Sequence, residues 1–417
     1  MRDRDLYASI LGISSPWGVV DVELDLAGDE VRVKVEFGPG APTPCPECGK
    51  GCARYDHRER RWRHLDTCQL KTILVAAVPR IECPEHGVRQ VTVPWAEPHG
   101  NFTAMFEALV IDWLKVASFK AVAAKLRMTW DEVDGIQGRA VKRGLARRGT
   151  VAATRIGVDE TSFQKRHEYV TVVVDLEEPR VLHVADDRRE ESLGAYLQSL
   201  SPEVRERIRV VSMDMHKPFI AAVRRWVPEA EWKIAFDKFH VAMHLGKAVD
   251  DVRRRENREY AEEGPSPLKG TKYLWLWNPA NMSRERTRAF APLRDSALRT
   301  ARAWALKEAA MDLWHYASLG WAHRQWKAWI GWALRSRLEP VKRVGRMVRE
   351  HLWGILNAVI QGATNAATES INSRIQWVKR VACGYRNRER FRNAIYFHLG
   401  GLDLYPATLR RATHTGS

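Results

Sequence analysis

The chain has 417 residues, which at about 150 residues per domain leaves room for several domains. Hydrophobic residues make up 45% and charged residues 28%, a balance that excludes wholesale disorder, a collagen-like fibre and a disulfide miniprotein. No apolar run approaches the ~18 residues that span a bilayer, and the opening MRDRDLYASI lacks the apolar core of a signal peptide, so a cytoplasmic protein is expected.

Lys and Arg number 67 against 51 Asp and Glu, a net charge of +16. Residues 1–250 carry equal numbers of both signs, so the whole excess falls in residues 251–417. A basic half beside a neutral half points to a polyanionic partner, with nucleic acid ahead of an acidic membrane surface. The plainer alternative is a solvated helical surface that favours Arg.

In chain order, residues 18–37 alternate apolar and polar side chains (VVDVELDL, then VRVKVEF), the period of a half-buried strand. GPGAPTP leads into a cysteine-rich stretch, and LKTILVAAVPRI (70–81) reads as another strand. From Asn101 the period changes to about 3.6, and three successive amphipathic helices follow: FTAMFEALVIDWL, SFKAVAAKL and TWDEVDGIQGRAVKRGL. GLARRGTVAA then reads as a linker. Strands are expected at 155–158, 168–175, 179–185, 208–213 and 231–236, with helices near 190–200 and 217–227. Strands in a row and then strand–helix alternation describe a mixed α/β sheet. EEGPSPLKG (262–270) breaks that pattern, and nearly everything beyond it is helical and rich in Trp and Arg.

Three constellations carry chemistry. Cys45-Pro-Glu-Cys48 and Cys83-Pro-Glu-His86 are two knuckles with the same spacing, and such a set offers tetrahedral zinc four soft ligands and no open position. A structural zinc is therefore expected. Cys52 and Cys68 are possible substitutes, and Cys383 reads as a buried small hydrophobe. In the helical segment Ser118 caps one helix, and Thr129 with Glu132 forms a capping box that opens the next. Two short helices across a tight turn are helix-turn-helix geometry, whose second helix enters the major groove. There Gln137, Arg139, Lys142 and Arg143 are the candidate contacts to bases and phosphates; an ordinary helical hairpin is the alternative.

The third constellation is acidic. Asp159 ends the apolar run IGVDET, and Asp214 ends VVSMD. If those strands are neighbours, both carboxylates emerge at one rim, where they suit a pair of Mg²⁺ ions about 3.5–4 Å apart. Glu369, in TNAATES-INSRIQ, is the candidate third acid. Any one acid at a strand end is more commonly a cap; the ordered set is not.

The order zinc knuckle, helix-turn-helix, IGVDETSF, VSMDMHKPF, FDKFHVAMHL, LKGTKYLWLWNP and TESIN…RVACGYRN, from about residue 10 to 406, resembles the ISL3 family of insertion-sequence transposases. The resemblance implies a ribonuclease-H-like mixed sheet interrupted by an all-α insertion. It implies cleavage and joining of DNA at an element's inverted repeats in a bacterial, nucleoid-associated setting, and a triad at Asp159, Asp214 and Glu369 holding two Mg²⁺ or Mn²⁺ ions. Two positions depart from the family pattern: Ala366-Ala367 stands where a glycine is expected, and Gln376 where a lysine is expected. Asp237 and His240, in FDKFH, are possible accessory residues. His240 and His244 form an i, i+4 pair read as non-metal for want of a third ligand. The Trp series at 314, 321, 326, 329 and 332 reads as core packing ahead of base stacking.

The expected organisation is an N-terminal β segment and zinc domain (1–99), a helix-turn-helix domain (100–150), a catalytic core (151–262), a basic Trp-rich helical insertion (263–355), and a closing helix with the C-terminal tail (356–417). The expected function is a DNA transposase acting as a homo-oligomer on double-stranded element ends and target. The alternatives are a transposase-derived DNA-binding regulator and a nuclease that cuts without joining.

Overall fold

The alternating valines become strands because period-two burial needs an extended backbone. In the computed structural model, which describes residues 3–164, 168–362 and 366–407, a short helix α1 (Asp3–Ile10) precedes β1 (Trp17–Asp25) and β2 (Glu30–Phe37). Val31, Val33 and Val35 point inward from β2. Next come β3 (Ala53–Thr67), β4 (Leu70–Cys83) and β5 (Gly87–Gln90). The sheet order is β1-β2-β4-β3, with β5 on β4; β2 and β4 are parallel and the other pairs antiparallel. Trp17, Trp62 and Trp95 close the core, with ring centroids 4.9 Å (Trp17–Trp95) and 5.4 Å (Trp62–Trp95) apart in edge-to-face contact.

Helices α2 (Ala104–Val116), α3 (Phe119–Leu126) and α4 (Trp130–Arg148) follow. Each is started by a hydroxyl: Thr103, Ser118 and Thr129 accept from Phe106, Ala121 and Glu132 backbone N–H groups. The expected capping box is complete, because Thr129 N also donates to Glu132 Oε2 at 2.8 Å; such caps are each worth about 1 kcal/mol. Arg127 takes a left-handed conformation (φ 54°) and turns the chain between α3 and α4. Because α4 continues to Arg148, the first half of the expected linker is helical.

By internal contacts the chain divides into two compact units: Met1–Gly149 with Val381–Cys383 and the residues from Tyr396, and Thr150–Arg380 with Gly384–Ile395. Residues 396–407 therefore belong with the N-terminal unit, whereas the expected organisation groups them with the core. Arg143 and Arg147, on α4, donate to the Leu404 and Tyr405 carbonyls and hold them there.

The second unit contains β6 (Arg155–Gln164), β7 (Glu168–Asp175), β8 (Arg180–Ala185), α5 (Glu190–Ser199), α6 (Pro202–Arg207), β9 (Val210–Met213), α7 (Lys217–Trp226), α8 (Ala230–Lys233) and β10 (Ile234–Phe236). Residues 231–233, expected as the start of a strand, belong to α8. The sheet order is β10-β9-β6-β7-β8. Strands β6, β7 and β8 are antiparallel neighbours, and β9 and β10 continue parallel to β6. All residues of β9 and β10 are buried, as expected of parallel strands covered on both faces.

Between β10 and the last two helices the described elements are helices: α9 (Lys238–Glu263), α10 (Lys272–Leu276), α11 (Arg284–Arg294), α12 (Arg299–Asp312), α13 (Leu319–Arg335) and α14 (Glu339–Gln361), besides two short 3₁₀ turns. Trp275, Trp326 and Trp329 are buried there, while Trp321 and Trp332 are exposed. The buried three and the half-buried Trp314 are core residues, as their burial among Leu, Ile and Ala demands. Helix α14 returns onto β10, where a Cβ on Gly354 would meet the Phe236 ring at 2.5 Å. Helices α15 (Ala366–Val381) and α16 (Arg388–Leu399) are the last described helices. Cys383 is exposed with φ 55°, in the turn that ends α15; the sequence reading had placed it in the interior. No described helix is long and apolar enough to cross a membrane.

Candidate functional site

The two knuckles meet. Cys45, Cys48, Cys83 and His86 bring their ligand atoms within 4.8 Å of one another. Cys48 Sγ lies 3.7 Å from Cys83 Sγ, and His86 Nδ1 lies 3.5 Å from Cys83 Sγ and 3.8 Å from Cys45 Sγ. A zinc tetrahedron with Zn–S about 2.3 Å and Zn–N about 2.0 Å has edges of about 3.5–3.8 Å, so the donor set fits that ion. The long β3–β4 hairpin separates the knuckles in sequence and returns the second to the first. The Cys83 thiol is lowered to about 6, first by its hydrogen bond with His86, which favours the thiolate that a metal requires. Cys52 Sγ instead donates to the Lys50 carbonyl at 3.3 Å, and Cys68 is exposed.

The α4 candidates separate. Gln137 is 1% exposed and turned into the helical core, so it is not available to base edges. Its position between Val133, Ile136, Ala140 and Val141 on the buried stripe explains this. Arg139 Nε donates to Glu107 at 3.1 Å. Arg143 donates to the Leu404 carbonyl at 2.7 Å and pairs with Glu97 and Glu107. Both arginines are thus engaged within the unit. Lys142 remains exposed.

The carboxylates are positioned by strand register. Parallel pairing sets Ile156 against Val211 and Gly157 against Ser212, and the same offset continued two residues brings Asp159 level with Asp214. Asp237 joins them because its N–H donates to the Met213 carbonyl at 3.0 Å. Its own Oδ1 accepts from Phe239 N at 3.0 Å, capping α9. His240 Nε2 lies 3.9 Å from Asp237 Oδ2.

Asp159 is held from two sides: Oδ1 accepts from Glu160 N at 2.7 Å and Oδ2 from Asn372 Nδ2 at 2.6 Å. Burial pushes its carboxyl up to about 6; the Glu160 N–H and His240 oppose the shift, and the negative charges of Asp214 and Asp237 add to it.

Glu369 sits on α15, one turn before Asn372. It is exposed, and among the described residues it makes no hydrogen bond or ion pair. The TNAATES motif begins at Thr364 and Asn365, which lie outside the described residues. Helix α15 is fixed along β6 by Gln376 donating to Thr161 Oγ1 at 3.0 Å and by Lys379 donating to the Ser162 carbonyl. Its approach is close because β6 has a glycine there: a Cβ on Gly157 would meet Thr368 Oγ1 at 2.3 Å. The structure therefore brings together Asp159, Asp214, Asp237 and His240 and sets Glu369 on the helix packed over them. Among the described residues, the Cys45, Cys48, Cys83 and His86 cluster is the one group of three or more ligands drawn together closely enough to hold an ion. Sequence reasoning missed Asn372; its signal was the i, i+3 spacing from Glu369, which shares a helix face.

A mixed sheet with acids at one rim, a Cys/His cluster and a capped helix pair is the assembly of a DNA-processing enzyme. Residues 156–395 match a family profile described as transposase, residues 41–86 a zinc-finger of the transposases IS204/IS1001/IS1096/IS1165, and residues 91–141 the helix-turn-helix domain of transposase family ISL3. The chain is 31% identical to the transposase for insertion sequence element IS1557 of Mycobacterium tuberculosis, over 93% of each chain. It is 26% identical to the transposase for insertion sequence element IS1001 of Bordetella parapertussis, over 94% of this chain and 97% of that one. The chain belongs to the ISL3 family of DDE transposases.

Proposed function

We propose that this transposase binds the terminal inverted repeats of its element and cleaves and joins DNA with Asp159, Asp214 and Glu369 as the metal-holding triad. The observation that carries the reading is the β6–β9 register, which sets two carboxylates level at one rim beside a helix bearing the third. The strand order, with three antiparallel strands and two parallel ones, supports a ribonuclease-H-like core. The helical stretch from α9 to α14 then stands as the insertion. The domains run 1–99, 100–150, 151–262, 263–355 and 356–395, with residues 396–407 packing with the N-terminal unit.

The carboxylate oxygens suit hard divalent ions such as Mg²⁺ or Mn²⁺, which take oxygen ligands. Bound there, such ions would supply a water of lowered pKa and neutralise charge developing on the phosphate. The protein's own part is positioning. The Asn372 amide and Glu160 N–H fix both oxygens of Asp159, and Asp237 anchors the start of α9 and places His240 at the rim as an accessory group. Cys45, Cys48, Cys83 and His86 hold a structural zinc in the N-terminal unit. Because two element ends must be joined, the active form is a homo-oligomer on DNA; light scattering of the strand-transfer complex tests this, and a monomer there would contradict it.

The deciding experiment incubates purified protein with labelled duplex carrying the element end, in Mg²⁺ or EDTA, beside Glu369→Ala and Asp214→Ala. Mg²⁺-dependent cleavage at the repeat boundary that disappears in both variants is the expected result. Wild-type cutting by Asp214→Ala would overturn the triad. Cleavage with no joined product would support a nuclease.

A further inference from the structure

In the N-terminal unit, β3 is an edge strand of the sheet, and it carries Arg54, Arg58, Arg60, Arg61 and Arg63. An open cleft of about 690 Å³ runs beside it, lined by the last four of these, by Asn101, and by Glu132 in the first turn of α4. The acids of that cleft are already engaged. Glu30 pairs with Arg32 at 3.3 Å, Glu59 with Arg61 at 3.5 Å, and Glu132 is committed to the Thr129 cap. Arg63 is held by Asp66.

Two guanidiniums are left over. Arg58 is exposed and, among the described residues, has no carboxylate partner. Arg60, two residues on and on the same strand face, lies over the Trp62 ring at 5.0 Å and donates to the Gly100 carbonyl at 2.8 Å. It is aimed but not neutralised. Its pKa is lowered by burial first and then by the like charge of Arg58.

Of the four candidate contacts on helix α4 only Lys142 stays exposed, so the helix supplies little of the cationic surface itself. Its first turn is exposed but acidic, with Asp131 and Glu132, and Arg139 and Arg143 are tied to Glu107 and Glu97. Phosphate contact supplies a large share of the affinity of DNA-binding modules, so a cationic surface beside α4 adds to the grip of Lys142. Arg forks suit phosphate oxygens.

We propose that the Arg58–Arg60 edge of β3 is a binding site for the phosphate backbone of duplex DNA, lying along the cleft that β3 shares with the start of α4. This deepens the reading of the N-terminal unit as DNA-binding. The β3 strand holds DNA without reading sequence. An edge strand rich in Arg also deters sheet-to-sheet aggregation, and that simpler role is an outcome of the test.

The full-length protein, wild type and R58A/R60A, is titrated by fluorescence anisotropy with an element-end duplex and an unrelated duplex at several salt concentrations. Zinc content and far-ultraviolet circular dichroism establish that the variant is folded, and R58K/R60K serves as the charge-preserving control. Affinity for both duplexes should fall about tenfold or more, and the slope of log K against log salt should shrink by about 1.8, two phosphates at about 0.9 each. The Lys variant should keep most of that slope. Unchanged affinity and slope would overturn the site and leave β3 a guarded edge. A loss confined to the element end would also overturn it, because it would mean base reading. Failure of the triad would leave this result untouched, since Glu369→Ala alters cutting and not binding.

Discussion

Asn372 Nδ2 donates to Asp159 Oδ2 across 2.6 Å, a hydrogen bond between α15 and β6. An amide donor so placed fixes which lone pair the carboxylate presents to a metal, and removal of such a supporting group commonly weakens metal affinity about 10–100-fold. Asn372→Ala should therefore raise the Mg²⁺ concentration for half-maximal cleavage at least tenfold and leave element-end binding unchanged. A metal titration of cleavage, with binding measured in parallel, checks this. An unchanged titration curve would sink the positioning role.

The raised carboxyl of Asp159 gives the metal-free protein a defined pH dependence. Its folded pKa of about 6 lies above the ordinary value of about 3.9. Between those values the native state holds more protons than the unfolded one, so stability falls as pH rises through the window. Two pKa units correspond to about 3 kcal/mol. Urea unfolding in EDTA at pH 4.5 and pH 7 should show wild type losing stability across this range, and Asp159→Asn losing correspondingly less. Equal losses would remove Asp159 as the cause.

The zinc cluster distinguishes ligands from bystanders. Cys48→Ser and Cys83→Ser should lose the metal and lower the melting temperature of the N-terminal unit, because folding and metal binding are one equilibrium at such sites. Cys52→Ser and Cys68→Ser should retain one zinc per chain. Metal analysis of the purified variants decides the matter, and a zinc-free Cys52→Ser protein would revise the ligand set.

Gly157 is a packing requirement. Gly157→Ala sets a methyl group 2.3 Å from Thr368 Oγ1 and 2.9 Å from Leu176 Cδ2, so α15 must move off β6. Overpacking of this kind costs about 1–3 kcal/mol, and cleavage should fall further than stability because Glu369 moves with the helix. Thr368→Ala removes the offending oxygen, and the double variant should recover part of the loss. A double-mutant cycle in urea, scored also for cleavage, measures that coupling. Strict additivity would mean that the helix does not yield at this point.

Most of the fold could be read from the chain because hydrophobic period survives in short windows. The valines of β2, the capping box at Thr129 and the acids ending β6 and β9 are all local signals. What could not be read was tertiary. The strand ARYDHRERRWRHLDT was not anticipated because Trp62 is its single large apolar residue facing inward, so its period is nearly silent. Its β structure comes from pairing with β4. The assignment of Arg139 and Arg143 to DNA failed to foresee Glu107, a buried acid in the apolar run MFEALV that needs cationic partners. Gln137 was misjudged because a polar residue on a buried stripe looks, in sequence, like one on an exposed face.

The helices from α9 to α14 leave the sheet at Asp237 and return to it where Gly354 meets Phe236. The strands carrying Asp159 and Asp214 therefore leave the ribosome well before the helix that bears Asn372 and Glu369. At bacterial elongation speeds the interval is on the order of ten seconds. Through that time the rim of the sheet lacks the helix that supplies Asn372, and α4 lacks the Leu404 and Tyr405 carbonyls that Arg143 and Arg147 hold. Each of the two compact units is thus completed only near the end of synthesis, by residues that follow α14.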